Sequence, residues 1–163
     1  MKFLTTLILS LASLGALAEG TKRVEYPQSP NLTIEVPSDW VIYDKTRFGV
    51  TSKNEELEVA GTAFSASGKK LSDFVTTKRE SIATKMPWYK SKGNPVKVDG
   101  VPYAVYVEEF EGVWPNEKEP TSYVVSYIEV DGLFLSLTFT SSSSKMPNYK
   151  KNVEAIYKSV VFK

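Results

Sequence analysis

The sequence contains no cysteine and no histidine among its 163 residues. Without a thiol there is no disulfide, no cysteine nucleophile and no lipid-modified N-terminal cysteine. Without an imidazole there is no Ser-His-Asp or Cys-His arrangement, and the nitrogen and sulfur ligands that dominate zinc sites are missing as well. These two absences exclude the commonest forms of nucleophilic and zinc-dependent catalysis.

Glycine-rich phosphate loops and an excess of charge are also missing. The nine glycines are scattered, without the GxxxxGK or GxGxxG spacing of nucleotide-binding loops. The chain has 20 basic and 19 acidic side chains, and Lys2 is the only charged residue before Glu19. Residues 19–163 are therefore neutral on balance and have no electrostatic footprint for nucleic acid or anionic lipid. We expect no cofactor, no metal site and no catalytic residue.

The first 18 residues have the pattern of a signal peptide. Lys2 supplies the positive start, residues 3–14 supply the apolar centre, and Ala16-Leu17-Ala18 fits a signal peptidase site. The stretch is shorter than the roughly 20 apolar residues of a membrane span, and no later segment is apolar enough to span. We expect residues 19–163 to be exported as a single domain, periplasmic or secreted, without membrane insertion. An uncleaved N-terminal anchor is the alternative.

Period-two alternation predicts several strands. Leu32, Ile34 and Val36 alternate with polar residues, and Trp40 follows as a core anchor. "RFGVTSK" and "LEVAGTAFSA" are the next extended runs. Two long hairpins follow, and each contains an Asp-Gly pair, at 99–100 and 131–132, which is the dipeptide of a tight hairpin turn.

Two segments have helical spacing. "LSDFVTTKRESIATKM" places its apolar side chains on one face, with Lys78, Arg79 and Glu80 mostly opposite. "SSSSKMPNYKKNVEAIYKS" begins with serines suited to N-capping, and Pro147 falls in a first turn. The final "SVVFK" is a short strand. Strands, a helix, antiparallel strands, a helix and a strand indicate an α+β fold.

A hexapeptide occurs twice, as "KMPWYK" at 85–90 and "KMPNYK" at 145–150. Pro87 disfavours helix in the residue before it, so the first copy is expected to end a helix. The second copy is expected to begin one. Their flanking sequences also differ, so the chain is not a tandem repeat.

Four segments resemble PsbP-like and DcrB-like proteins: "LTIEVPSDWVIYD", "VDGVPYAVYVEEFEG", "VDGLFLSLTFTSSSS" and "IYKSVVFK". The resemblance implies a PsbP/Mog-type fold, an α/β/α sandwich with a central antiparallel sheet flanked by two main helices. Members of this family include photosystem accessory subunits, bacterial envelope proteins, adaptors for secreted effectors and a nuclear-transport factor. Most of them bind another protein, so the resemblance implies a non-enzymatic binding role and assigns no site residues.

The candidate partner-binding residues are Trp88, Tyr89 and Trp114, which lie in polar connections. Aromatic side chains in loops are typical anchors of binding surfaces. The alternative is that each ring packs on the sheet under its own loop. The partner is expected to be a protein and is not identified by the sequence. The chain would then be either an immunity or adaptor protein for a secreted effector or an accessory subunit of an envelope complex.

Two other hypotheses remain open. Strand alternation places Glu109 and Glu111 on one face and Glu108 on the other. One hypothesis is that Glu109 and Glu111 form a carboxylate hydrolase site or a Ca²⁺ site; a solvated strand end, whose charges discourage edge pairing, is favoured over it. A small-ligand pocket could form on a tyrosine-rich sheet face under the connection 113–120. For these tyrosines, cross-strand packing is favoured; they are Tyr103, Tyr106, Tyr123 and Tyr127.

Overall fold

The computed structural model describes residues 20–163, so the signal peptide predicted for residues 1–18 lies outside the described residues. The helices are α1 Leu71–Lys85 and α2 Met146–Lys158. The strands are β1 Thr21–Tyr26, β2 Ser29–Pro37, β3 Val41–Asp44, β4 Phe48–Thr51, β5 Glu58–Ser65, β6 Tyr89–Ser91, β7 Val96–Lys97, β8 Ala104–Gly112, β9 Thr121–Val130, β10 Leu133–Ser142 and β11 Val161–Phe162.

The strands form two antiparallel sheets. The larger sheet has the order β3-β4-β5-β10-β9-β8-β6, and β7 pairs with β8 beside this path. The smaller sheet has the order β1-β2-β11. The predicted α+β class, with antiparallel sheets and two helices, is confirmed. Neither helix of residues 20–163 has the length and apolarity needed to cross a bilayer.

The core is divided between the two faces of the larger sheet. On β9, Val124 and Ile128 pack with α2 and the smaller sheet, whereas Val125 and Tyr127 pack with α1. Successive side chains of a strand point to opposite faces, so neighbours in sequence enter different clusters. We call the two sides of the larger sheet the α2 face and the α1 face. Trp40 is buried in the cluster on the α2 face, as predicted.

One of the two predicted tight turns is confirmed. Val130 pairs with Leu133, and the two residues between them have positive φ values of 47° at Asp131 and 74° at Gly132. These are the conformations of a type I′ hairpin, which suits the twist of the flanking strands. The prediction of a tight hairpin turn at 99–100 is wrong. The last bond of that hairpin joins Val98 N–H to the Val105 carbonyl, and Pro102 has no N–H to extend the ladder.

The ends of the chain differ from the sequence analysis in two ways. The polar segment before residue 29 contains strand β1, which pairs with β2. The serines do not cap α2: the helix begins after Lys145 without a side-chain cap, and Ser141 lies in β10, where its hydroxyl donates to the Glu56 carbonyl at 2.6 Å. The two copies of the hexapeptide end α1 and begin α2, as predicted.

The polar face predicted for α1 also needs correction. Lys78 and Arg79 are half-buried, and both side chains reach toward the sheet. Arg79 pairs with Glu108 on β8, and the Lys78 ammonium lies 4.3 Å from the ring centroid of Phe64 on β5. Long basic side chains bury their aliphatic stems along apolar surface, which period alone does not reveal.

Candidate functional site

Trp88, Tyr89 and Trp114 come together at one end of the larger sheet. Trp88 precedes β6 and Trp114 follows the end of β8, but Tyr89 begins β6, so the prediction that Tyr89 lies in a polar connection is wrong. The ring centroids of Trp88 and Trp114 are 5.1 Å apart, and those of Tyr89 and Trp114 are 6.0 Å apart in an edge-to-face arrangement. The Trp114 indole Nε1–H donates to the Tyr89 phenol oxygen at 2.8 Å. We call these three residues the aromatic cluster.

Gly112 allows the backbone of residues 88 and 89 to lie close to the end of β8. It lies opposite Tyr89 in the pairing of β6 with β8. A Cβ atom at residue 112 would lie 2.2 Å from the Trp88 carbonyl oxygen and 3.0 Å from the Tyr89 Cα. Both contacts are with backbone, which cannot rotate away, so a side chain at this position would displace β6. The glycine that ends the charged strand "EFEG" was the sequence signal for this close contact.

A tight turn fixes the backbone of Trp114. The Glu117 N–H donates to the Trp114 carbonyl at 2.9 Å, and Asn116 has a φ of 75°. Proline at the second position and a positive φ at the third are the features of a type II turn. Pro115 and Asn116 therefore restrict the conformations of the connection that carries the Trp114 ring.

The members of the cluster have different exposures. Trp114 is 40% exposed and its neighbour Val113 is 44% exposed, whereas Tyr89 is only 4% exposed. Tyr89 stacks on Tyr123 of β9 with centroids 5.2 Å apart. Burial raises the pKa of the Tyr89 phenol, although hydrogen bonds from Trp114 and Thr121 act in the opposite sense. Tyr89 thus anchors Trp114 to the sheet and offers little surface of its own.

Trp88 is half-buried, and its indole N–H lies inside. Within residues 20–163 this N–H has no hydrogen-bond acceptor. An unpaired buried donor typically costs about 1–3 kcal/mol. The cluster therefore combines an exposed ring, an anchored ring and a ring with an unused donor.

Glu108 lies on the α1 face, opposite in direction to Glu109 and Glu111, as the alternation predicted. Its carboxylate accepts from Arg79 Nε at 3.0 Å, Ser91 Oγ at 2.6 Å and the Tyr127 phenol at 3.4 Å. The Glu108 side chain is fully buried. Three donors compensate the loss of hydration, so this carboxylate joins α1, β6, β8 and β9.

Glu109 and Glu111 line a groove of about 330 Å³ between β8 and α2. Glu109 forms an ion pair with Lys92 at 2.8 Å. Within the described part of the chain, no three acidic side chains lie close enough together to hold a metal ion. The groove also contains Lys150 and Glu154, so its charges are mixed.

The tyrosines predicted to pack across strands do so in part. Tyr123 contacts Phe110 of the neighbouring strand β8 with ring centroids 6.3 Å apart. The fully buried Tyr127 contacts Phe74 of α1 edge-to-face at 6.4 Å. Tyr103 instead reaches α2: its phenol donates to the Tyr157 carbonyl and accepts from the Val160 N–H, both at 3.1 Å. Tyr123 lines a cleft bounded by α1, not by the connection 113–120.

The sequence matches no protein-family model and no curated protein. Solved structures are similar in fold at low identity. PsbP (CyanoP) of Synechocystis sp. PCC 6803 has a TM-score of 0.64 and 13% identity, covering 94% of this chain and 99% of that one. LpqN of Mycobacterium tuberculosis, described as involved in cell envelope biogenesis, has a TM-score of 0.63 and 9% identity, covering 87% and 90%.

The Ran-binding protein Mog1p of Saccharomyces cerevisiae is also similar, with a TM-score of 0.62 and 11% identity, covering 89% of this chain and 96% of that one. Each comparison spans nearly the whole of both chains, so the likeness concerns the complete arrangement of helices and strands. The resemblance inferred from the sequence is confirmed at the level of the fold. The chain has the PsbP/Mog-type fold.

Proposed function

We propose that this chain is an exported, non-enzymatic protein that binds a protein partner through its aromatic cluster. Trp88 and Trp114 are the contact residues in this proposal, and Tyr89 holds Trp114 in place. The observation that carries it is the exposed Trp114 ring, which is oriented by a hydrogen bond from its indole to a buried phenol. A rigid, partly exposed aromatic anchor loses little conformational entropy on binding.

The unused donor of Trp88 adds support. A partner that supplies a carbonyl or carboxylate oxygen to the Trp88 indole would relieve the cost of the unpaired N–H. The fitting partner surface is an apolar side chain that packs on Trp114 and Val113, with an oxygen acceptor beside it. Tyrosine and tryptophan are enriched at interfaces because they combine apolar area with such a polar contact.

The comparisons support a binding role by analogy of fold. One neighbour is described as Ran-binding and another as involved in cell envelope biogenesis. We further propose that the layers form an α/β/α sandwich, which agrees with the division of the core between the two faces. A fold alone does not determine a function, so the aromatic cluster remains the basis of the proposal.

Within this role, the chain acts either as an immunity or adaptor protein for a secreted effector or as an accessory subunit of an envelope complex. Cleavage after Ala18 and release into the periplasm or medium are part of the same proposal. N-terminal sequencing of the fractionated protein tests the cleavage. A mature chain that begins at Glu19 supports cleavage after Ala18, and a chain that retains Met1 contradicts it.

The binding surface is tested by capturing the partner from an envelope extract with the purified mature chain. Trp114→Ala should reduce capture at least tenfold, the effect of losing an anchor worth about 1.4 kcal/mol or more. Ile42→Ala is the matched control: Ile42 is 39% exposed but lies on β3, at the opposite edge of the larger sheet. Circular dichroism and thermal unfolding should show both variants folded.

A second variant, Trp88→Phe, keeps an aromatic ring but removes the indole N–H. Capture should weaken by a smaller factor than with Trp114→Ala. Equal capture by wild type, Trp114→Ala and Trp88→Phe would show that the partner contacts another surface. A loss in Ile42→Ala equal to that in Trp114→Ala would show that the effect is not specific to the aromatic cluster.

A further inference from the structure

A cleft of about 290 Å³ lies between the C-terminal half of α1 and the larger sheet. The cleft exists because the side chains of β5 and β10 on the α1 face change in size along the strands. Near the start of α1, the α1 face carries the large rings of Phe64 and Phe134, and Phe74 packs between them with centroids 5.6 and 5.0 Å away. Further along the same face the side chains become small and polar, and α1 does not fill the space. The small side chains are Ala60, Thr62, Ser136 and Thr138.

The helix side of the cleft is positively charged. Lys78, Ser81, Ile82 and Lys85 all line it, and their spacing places them on one stripe of α1. This stripe continues the one that buries Val75. At two positions where the pattern calls for an apolar side chain, the sequence has lysine. No acidic side chain is among the residues that line the cleft.

Within the described part of the chain, neither lysine forms an ion pair with a carboxylate. The ion pairs formed within residues 20–163 involve six other basic side chains and neither Lys78 nor Lys85. The Lys78 ammonium instead lies over the rings of Phe64 at 4.3 Å and Phe74 at 5.5 Å. Burial lowers the pKa of Lys78, and the nearby positive charge of Lys85 lowers it further. An anion between the two would compensate both effects.

The remaining walls have two characters. Thr62 and Ser136 line the sheet side of the cleft, and hydroxyls bind anionic oxygens as hydrogen-bond donors; the Thr138 hydroxyl also lies there but donates to the Ala60 carbonyl at 3.1 Å. Ile82, Met86 and Val125 supply an apolar wall. Sites for small molecules typically combine an apolar lining with a few convergent polar groups. The cleft therefore suits a ligand with one anionic end and one apolar end.

We infer that this cleft binds a small amphipathic organic anion, with a carboxylate or phosphate group between Lys78 and Lys85 and an apolar body against Ile82, Met86 and Val125. This inference does not depend on the proposed partner binding. Tyr123 links the two regions, because it lines the cleft and stacks on Tyr89 of the aromatic cluster.

The test is a titration of the ¹⁵N-labelled mature chain with octanoate, followed by amide chemical shifts. Saturable shifts are expected around Ser81 and Ile82 on α1 and around Ser136 and Thr138 on β10. Octyl phosphate should bind at the same amides. Octanol and octylamine have the same apolar body without the negative charge, and both should bind at least tenfold more weakly. Inorganic phosphate, which lacks the apolar body, should also bind more weakly than octyl phosphate.

The variant pair is Lys78→Met and Lys85→Gln, which removes both charges and keeps most of the side-chain volume. The double variant should lose octanoate affinity at least tenfold. Lys92→Gln is the matched control, because Lys92 lies on the opposite side of the sheet, in the groove with α2. Its octanoate affinity should equal that of the wild type.

Three results would overturn the inference. They are the absence of saturable shifts with either anion, equal affinity of octylamine and octanoate, and unchanged octanoate affinity in the folded double variant. Anionic phospholipid vesicles form a further arm. Binding to vesicles with an affinity that exceeds that of the free amphiphiles, and that survives the double variant, would assign the chemistry to a membrane surface outside the cleft.

Discussion

The two faces of the larger sheet have different kinds of interior. The α2 face is centred on Ile128, Leu135 and Leu137, all fully buried, and its cluster extends into the smaller sheet. The α1 face contains Glu108, the only charged side chain among residues 20–163 that is buried, and the half-buried Lys78 and Arg79. The same strands contribute to both faces, so the difference comes from alternate residues of one sequence.

The apolar α2 face mainly stabilises the fold, whereas the α1 face carries the groups that could bind a partner or ligand. An apolar interior contributes free energy in proportion to the area it buries and gives no specificity for a ligand. Charges and unused donors near an interior are costly unless they are paired. On the α1 side, Glu108 is paired, whereas Lys78 has no carboxylate partner among the described residues and the Trp88 indole has no acceptor. Both proposed binding sites are therefore found there.

The largest effect should come from the α2 face. Leu137→Ala removes a fully buried side chain and leaves a cavity, so the free energy of unfolding should fall by about 2–5 kcal/mol. The neighbouring residue Ser136 points to the α1 face, and Ser136→Ala should change the free energy of unfolding by less than about 1 kcal/mol. Urea unfolding measures both variants. Equal losses would show that the two faces contribute alike.

Alkaline pH should destabilise the chain through phenols buried on the α2 face. Burial raises the pKa of Tyr103 to about 12 and of Tyr157 to about 12. In the unfolded chain a tyrosine ionises near pH 10. The stability that these phenols contribute is thus fully present below pH 10 and is lost as the pH rises from 10 through 12. Urea midpoints across this range measure the loss.

Tyr103→Phe sharpens this prediction. The variant should be less stable at neutral pH by about 1–3 kcal/mol, because the Val160 N–H loses its acceptor and the Tyr157 carbonyl its donor. Between pH 10 and 12 its stability should fall less steeply than that of the wild type. An identical slope would mean that other phenols govern the alkaline transition, Tyr127 on the α1 face among them.

Gly112→Ala should have an intermediate effect at the aromatic cluster. The new methyl group would collide with the backbone of Trp88, so we expect a loss of about 1–3 kcal/mol in stability and a shift in tryptophan fluorescence as β6 moves. Gly93→Ala is the matched control, since a methyl group there meets no atom within 4 Å. Similar spectra for both variants would contradict the proposed role of Gly112.

The smallest effect is expected for Lys78→Met. Removal of a desolvated ammonium favours folding, and the lost cation–π contacts oppose it, so the net change should be below about 1 kcal/mol. Its neighbour Arg79 differs, because Arg79→Met leaves the buried Glu108 carboxylate without its cation. Thermal unfolding should show a clearly larger loss for Arg79→Met, and equal losses would mean that Lys78 also has a structural partner.

Local sequence patterns were sufficient to predict several helices, strands and turns. Helix α1, strand β2 and the turn at Asp131-Gly132 were predicted because period and turn chemistry depend on residues close together in the chain. Strands β1 and β6 were not predicted, and the predicted serine cap of α2 is wrong. Strand β1 has several polar residues and forms because it pairs with the edge of β2. Ser141 belongs to β10 because it pairs with Ser122 of β9.

For the candidate site, the sequence identified the three aromatic residues but not their relation. Trp114 and Tyr89 are 25 residues apart, and only the pairing of β6 with β8 brings them into contact. The buried Glu108–Arg79 pair was missed for the same reason, because its members are 29 residues apart and each is unremarkable in its local pattern. The exposed and anchored roles of Trp114 and Tyr89 also follow from that pairing.

The sequence by itself determined the chemistry that this protein lacks, because absent imidazoles and thiols cannot be supplied by folding, and it determined most helices and strands through short-range periodicity. The tertiary structure alone decided which face each polar side chain occupies, how Gly112 lets two strand ends meet, and where α1 leaves a charged cleft. Those features depend on strand register and helix placement, which minimise the free energy of the whole chain and are not encoded in any single segment.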